Sequence, residues 1–172
     1  MKERGMVMGA PVILIGFDNY LPSDKILAIF SRKTRAVKPM ISRAEMSGKL
    51  IDATFGRSVK SVILTIDDFI VLSGIKPETL AERYADKTGK SILHCGGENH
   101  IPNEQITAIL QKNSTPIKEM IKLARAQDRV INAQMGKATR GIIATSSGYF
   151  ILSFLSPEAI AGRYEKTKDI TN

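Results

Sequence analysis

The side chains with most to offer chemically are cations that recur at a fixed interval. Arg57 and Lys60 follow Gly56, and Lys137 and Arg140 follow Gly136, so stretches 80 residues apart carry positive charge at the same two places with the residue types exchanged. Shared charge without shared shape is what contact with phosphate requires. A cation needs only to reach the backbone, whereas bidentate readout of a base edge favours a fixed arginine. A second cluster, Arg32, Lys33, Arg35 and Lys38, meets Lys112 and Lys118 at the same interval, and only Lys38 and Lys118 agree in type. The plainer alternative for all of these is a solvated charged face.

Acid–base or nucleophilic chemistry is hard to assemble. His94, Cys95 and His100 are the sole imidazole and thiol groups, and their spacing fits no zinc pattern. At the interval of 80 they answer to Leu14, Ile15 and Tyr20, so they are expected to pack in a strand or at its end, with no metal, no cofactor and no catalytic role. Cys95-Gly96-Gly97-Glu98 lacks the spacing of a phosphate loop and the Lys-Ser/Thr that would follow it, and reads as a turn after a strand. Asp67 and Asp68 are replaced by Ser147 and Gly148, which suits a solvated hairpin tip better than an acid pair. Arg83-Tyr84 and Arg163-Tyr164 read as a helix end with a cation near the dipole's negative pole and an aromatic turned inward.

The interval itself is the organising feature. Ile51–Tyr84 lies over Ile131–Tyr164 without a gap, and about a third of the paired positions are identical, which marks two copies of one domain. The copies are expected at 11–86 and 91–166, flanked by tails at 1–10 and 167–172 and joined through the polar stretch Ala85–Lys90. Val12–Ile15 and Ser91–Cys95 are short apolar runs ending in glycine, as buried strands are. Ile26–Phe30 and Ile106–Leu110 fit a strand or a helical turn, and strand is favoured.

Val37, Met40, Ile41 and Ala44, repeated as Ile117, Met120, Ile121 and Ala124, form the buried stripe of an amphipathic helix, with Thr34 and Ser114 as expected N-caps. Leu50–Thr54, Ser58–Ile66 and Phe69–Ile75 read as an antiparallel meander. A last helix opens with proline at its first position and glutamate at its second, at Pro77-Glu78 and Pro157-Glu158. The fold class is therefore α+β, two tandem β-β-α-β-β-β-α domains.

With 43% hydrophobic and 24% charged residues the chain suits a globular protein, and no stretch has the length of a membrane span. Pro11 and the reuse of Val12–Ile15 as a repeated strand argue against a secretory leader, and one cysteine fits a reducing cytoplasm. A net charge of +8 with pI near 9.7 favours a polyanionic partner.

ILIGFDNYLPSDKILAI, TRAVKPMISRAEMSGKL, IDATFGRSVKSVIL and VLSGIKPETLAERY in the first copy resemble the RemA family, regulators of extracellular-matrix genes in biofilm-forming bacteria. The second copy matches through GENHIPNEQITAI, INAQMGK and LSPEAIAGRY. The resemblance implies a LytTR-like DNA-binding domain that assembles into rings with a basic rim, with the cations after the glycine of IDATFGR among the binding residues. Carried over, these are Arg57 and Lys60, and by the repeat Lys137 and Arg140, with Arg35, Lys38 and Lys118 as further candidates. Where the family tends to have a second arginine, this chain has Ser58 and Ala138. The expected function is sequence-tolerant binding of double-stranded DNA by a cytoplasmic, nucleoid-associated homo-oligomer, acting as transcription regulator or architectural factor and not as an enzyme. The alternative is a scaffolding ring that binds RNA or a protein. Fusion of two copies would let a ring close with half as many chains.

Overall fold

The computed structural model describes residues 9–170, with side chains as far as Lys166. The first copy opens with a hairpin of β1 (Val12–Gly16) and β2 (Asn19–Pro22), antiparallel with Leu14 opposite Tyr20. Its two-residue turn, Phe17-Asp18, has φ of 52° and 61°, the left-handed pair that lets a tight hairpin follow the strand twist. A single 3-10 turn (Ser23–Lys25) leads into β3 (Ile26–Ser31), then α1 (Val37–Met46), β4 (Leu50–Asp52), β5 (Ser61–Thr65), β6 (Ile70–Ser73) and α2 (Pro77–Thr88).

The second copy repeats this order as β7 (Ile92–Gly96), β8 (Asn99–Pro102), a 3-10 turn (Asn103–Gln105), β9 (Ile106–Gln111), α3 (Thr115–Ala126), β10 (Val130–Asn132), β11 (Gly141–Thr145), β12 (Phe150–Ser153) and α4 (Pro157–Ile170). The α+β class and the duplication hold, and Ile26–Phe30 and Ile106–Leu110, which fit either strand or helical turn, are strands.

Four details differ from expectation. Each copy has one more strand, β2 or β8, where Asn19–Pro22 and Asn99–Pro102 lead into a turn. β4 does not begin a meander: it lies parallel to β6, outside the β5–β6 hairpin, because the loop 53–60 carries the chain across to the far side of that hairpin. Thr34 does not cap α1, whose first turn has no side-chain cap, whereas Ser114 caps α3 by accepting from the Ile117 N–H at 3.3 Å. The polar junction Ala85–Lys90 is largely helix, since α2 runs to Thr88 and stops at Gly89 in the left-handed conformation that a helix C-terminus favours. Of the expected tails, residues 1–8 and 171–172 lie outside the described residues, and α4 continues into the second of them.

The first-copy sheet is buried on both faces. Ala28, Phe30, Val62 and Leu64 pack with Val37, Met40 and Ala44 of α1 on one side; Ile29, Ile63 and Val71 pack with Ile13, Ile15, Leu80 and Tyr84 of the hairpin and α2 on the other. Continuous burial along β3 and β5 explains why those segments read as apolar runs without alternation.

The copies are joined by more than the linker. The hairpin β7–β8 adds to the edge of β3, giving one sheet in the order β4-β6-β5-β3-β8-β7, with Ile29 opposite His100. The Asn99 side-chain oxygen accepts from the Ser31 N–H at 2.8 Å and from the Thr34 hydroxyl at 3.0 Å, which is what occupies the expected cap. Asp68, expected at a solvated tip, instead binds Arg129 of the second copy through two hydrogen bonds of 2.9 and 3.2 Å and accepts from the Tyr149 hydroxyl at 2.9 Å. Burial pushes the Asp68 carboxyl up, but the bonds from Arg129 and Tyr149 outweigh it and hold it below the usual carboxylate range.

Candidate nucleic-acid interface

The loops between β4 and β5 and between β10 and β11 hold the matched cations in one geometry. Phe55 and Gly56 have φ of 53° and 79°, and Met135 and Gly136 have 56° and 76°. The Arg57 N–H donates to the Thr54 carbonyl at 2.9 Å and the Lys137 N–H to that of Gln134 at 3.0 Å. Further along, the Lys60 N–H donates to Ser73 and the Arg140 N–H to Ser153, each at 2.8 Å. All four side chains are exposed, so the loops present two positive charges at equivalent points of each copy. Glycine suits the second left-handed position: the space around Gly56 and Gly136 is open, but a side chain there would meet its own backbone.

The first cation of each loop is supported by an aromatic ring, from a different place in each copy. Arg57 lies over Phe17, 5.5 Å from the ring centre, and Phe17 stacks on Phe55 with centroids 5.0 Å apart. The counterpart of Phe17 is Gly97, so Lys137 uses Phe154 instead, at 4.6 Å, from a position where the first copy has Gly74. Glycine at 97 leaves room for Met135: a Cβ there would come within 2.6 Å of the Met135 side chain, which would have to move. A ring under a cation restrains it without removing its charge.

The structure brings some candidates together and leaves others apart. Lys60, Arg32, Lys33 and Lys76 line one depression, with the Arg32 N–H donating to the Lys60 carbonyl at 3.2 Å. Arg35 of the first copy and Lys137 of the second line another, which spans the junction between copies. Lys38 and Lys118 are exposed on α1 and α3 and line neither depression. Lys76 gives no signal in the sequence because it stands just before a helix start, where its neighbours Pro77 and Glu78 have a sufficient local role. The ring partners Phe17 and Phe154 give none because neither is repeated.

His94, Cys95 and His100 sit where the repeat places them, in and beside a hairpin. Cys95 is fully buried, and burial pushes its thiol up to about 12. Burial, with the neighbouring His94, lowers His100 to about 4. Among the described residues no group of three or more His, Cys, Asp or Glu could hold a metal ion, and no helix is long and apolar enough to cross a membrane.

A profile of the RemA-like family, described as extracellular matrix regulatory protein A-like, matches residues 12–84 and again 92–164. A protein of Desulforudis audaxviator (strain MP104C) is 41% identical over 88 residues, which cover 51% of this chain and 93% of that protein. One of Thermotoga petrophila is 43% identical over 75 residues, covering 44% and 82%, and one of Clostridium botulinum (strain Hall) is 38% identical over 91 residues, covering 53% and 100%. All three are described as candidate regulatory proteins, and each is about the length of one copy. With both copies matched and relatives of this similarity, the chain belongs to the RemA-like family, as a tandem of two family domains.

Proposed function

We propose that the protein is a DNA-binding regulator, a transcription or architectural factor that holds duplex DNA by its phosphate backbone and works as a homo-oligomer. The observation that carries this reading is the pair of β4–β5-type loops, which present Arg57 with Lys60 and Lys137 with Arg140 in the same backbone geometry. A protein that must follow a regular polyanion needs cations at regular places, whereas one that reads a single site needs a particular side chain at a particular base. Support also comes from the net charge of +8, from the Arg35–Lys137 depression that continues the positive surface across the junction, and from the regulatory description of the family. Bound in this way, the protein would sit with the nucleoid, and matrix genes are the target class the family description suggests.

The test is a titration of purified protein against unrelated duplexes of equal length at several salt concentrations. Similar affinities that fall steeply with salt are expected. Affinity that is flat in salt would sink the phosphate reading, and single-stranded RNA competing as well as duplex would favour the scaffolding alternative.

A further inference from the structure

The copies share a fold but not an exposure, and the differences fall into two complementary sets. In the first copy Asn19 is exposed, Tyr20 is 53% exposed and Ile51 is 44% exposed, while their counterparts Asn99, His100 (8%) and Ile131 (1%) are buried. On β3 and α1 the imbalance reverses: Ile29, Phe30 and Met40 are buried, whereas Ile109, Leu110 and Met120 are partly open. The first set belongs to the surface by which the second copy docks, and the second set to the surface that receives it. Every chain therefore keeps one unused example of each. β9 ends its sheet with only β11 as a neighbour among the described residues, so its other edge offers unpaired N–H and C=O groups to an incoming strand.

We propose that chains join head to tail, the β1–β2 hairpin of one chain adding to β9 of the next, with Tyr20 opposite Ile109 as His100 is opposite Ile29. This rests on the homo-oligomer of the reading above and names the surface that builds it. Asn19 takes the role of Asn99, its side-chain oxygen accepting from the Gln111 N–H and the Ser114 hydroxyl. Such a contact uses two different surfaces, so it repeats around a ring or along a filament.

The two kinds of junction are chemically unlike. Inside the chain, Asp68 pairs with Arg129 and Tyr149, and Arg43 lies 3.8 Å from Asp128. Between chains the corresponding residues are Gly148 with Lys49 and Phe69, and Leu123 with Gly48. Neither of these two ion pairs has a counterpart there; Leu123, 67% exposed in the single chain, is covered instead. The tandem assembly thus alternates an ion-paired junction with an apolar one.

Light scattering or sedimentation of the full chain, from low to high micromolar, tests this. The wild type is expected at a multiple of 18.9 kDa. Tyr20→Asp and Leu123→Asp each place a carboxylate in the junction from a position exposed in the single chain, so each should give monomers that melt as the wild type does. Met46→Asp, at a site 89% exposed and outside both sets, should leave the assembly intact. Gly148→Asp with Lys49→Arg rebuilds the Asp68–Arg129 pair at the outer junction; Gly148 has φ of 80° and Asp68 already adopts 73°, so aspartate fits. The double variant should tighten assembly several-fold; Gly148→Asp alone should give part of the gain, since Lys49 already supplies a cation, and Lys49→Arg alone should give none. Oligomers that survive both Tyr20→Asp and Leu123→Asp would overturn the junction while leaving the oligomer reading standing, as would a double variant without gain for the register. A wild type that stays monomeric would overturn both.

Discussion

Arg57 and Lys137 hang from loops of one conformation, so in the proposed DNA complex their value is set by reach and charge rather than by side-chain type. Arg57→Ala combined with Lys137→Ala should weaken binding to all duplexes by similar factors and lower the salt slope by about one unit for each phosphate no longer touched. Arg35→Ala should behave like Lys137→Ala, because both line the depression across the junction, and Lys38→Ala should do less. Fluorescence anisotropy at graded salt measures both quantities, and an unchanged slope in the double variant would remove these loops from the interface. The cations were legible because the repeat marks positions at which charge persists while residue type does not. Their aromatic supports were not, since Phe17 and Phe154 fill one role from two unrelated positions. Cys95 makes a second residue-level prediction. Fully buried, with its thiol pushed up to about 12, it should resist a disulfide reagent in the folded protein and react fully in denaturant. Rapid native reaction would show that the β7–β8 hairpin does not stay docked.

The hairpins β1–β2 and β7–β8 are the elements whose placement matters most, and half of each is hidden in the sequence. A two-residue turn with both φ positive usually advertises itself with asparagine or glycine, but Phe17-Asp18 does not, and Pro22 reads as the end of a strand rather than part of one. The order β4-β6-β5-β3 is hidden too, because apolar periodicity reports that a segment is buried and not which neighbour buries it. Docking of the second hairpin places His100 opposite Ile29, with its Nε2 buried and unpartnered. Its folded value of about 4 lies below the ordinary 6.5, so between those limits the unfolded chain binds the extra proton. The contribution of His100 to stability is therefore complete above pH 6.5 and is expected to decline as pH falls toward 4, by an amount approaching about 3 kcal/mol. Urea unfolding at pH 7.5 and pH 5 should show this decline, and His100→Gln should flatten it. A wild type equally stable at both would mean that the imidazole is not desolvated at the junction.

At the scale of the molecule, duplication was the most legible property and the contact between copies the least. Ungapped identity over Ile51–Tyr84 and Ile131–Tyr164 announces two domains, but nothing in it says that the second hairpin completes the first sheet. The residues that distinguish the junction are those at which the copies differ, such as Asp68 against Gly148, and a repeat comparison discounts differences. The charge is shared evenly: residues 12–84 hold 11 Lys or Arg and 8 Asp or Glu, and residues 92–164 hold 8 and 5, a net +3 for each. In the proposed DNA complex each domain thus brings the same net charge, whereas the proposed junction between chains lacks the Asp68–Arg129 and Arg43–Asp128 pairs. Salt should then separate binding from assembly. If the four loop cations of a chain all meet phosphate, log affinity should fall by about 3.6 per chain for each tenfold rise in salt. The mass of the DNA-free oligomer should not change over the same range, because apolar burial and hydrogen bonds with Asn19 are not screened as ion pairs are. Light scattering of free protein beside anisotropy of the complex, in one salt series, makes the comparison. An oligomer that came apart in step with DNA release would refute an apolar junction and would assign part of the apparent salt slope to assembly rather than to Arg57, Lys60, Lys137 and Arg140.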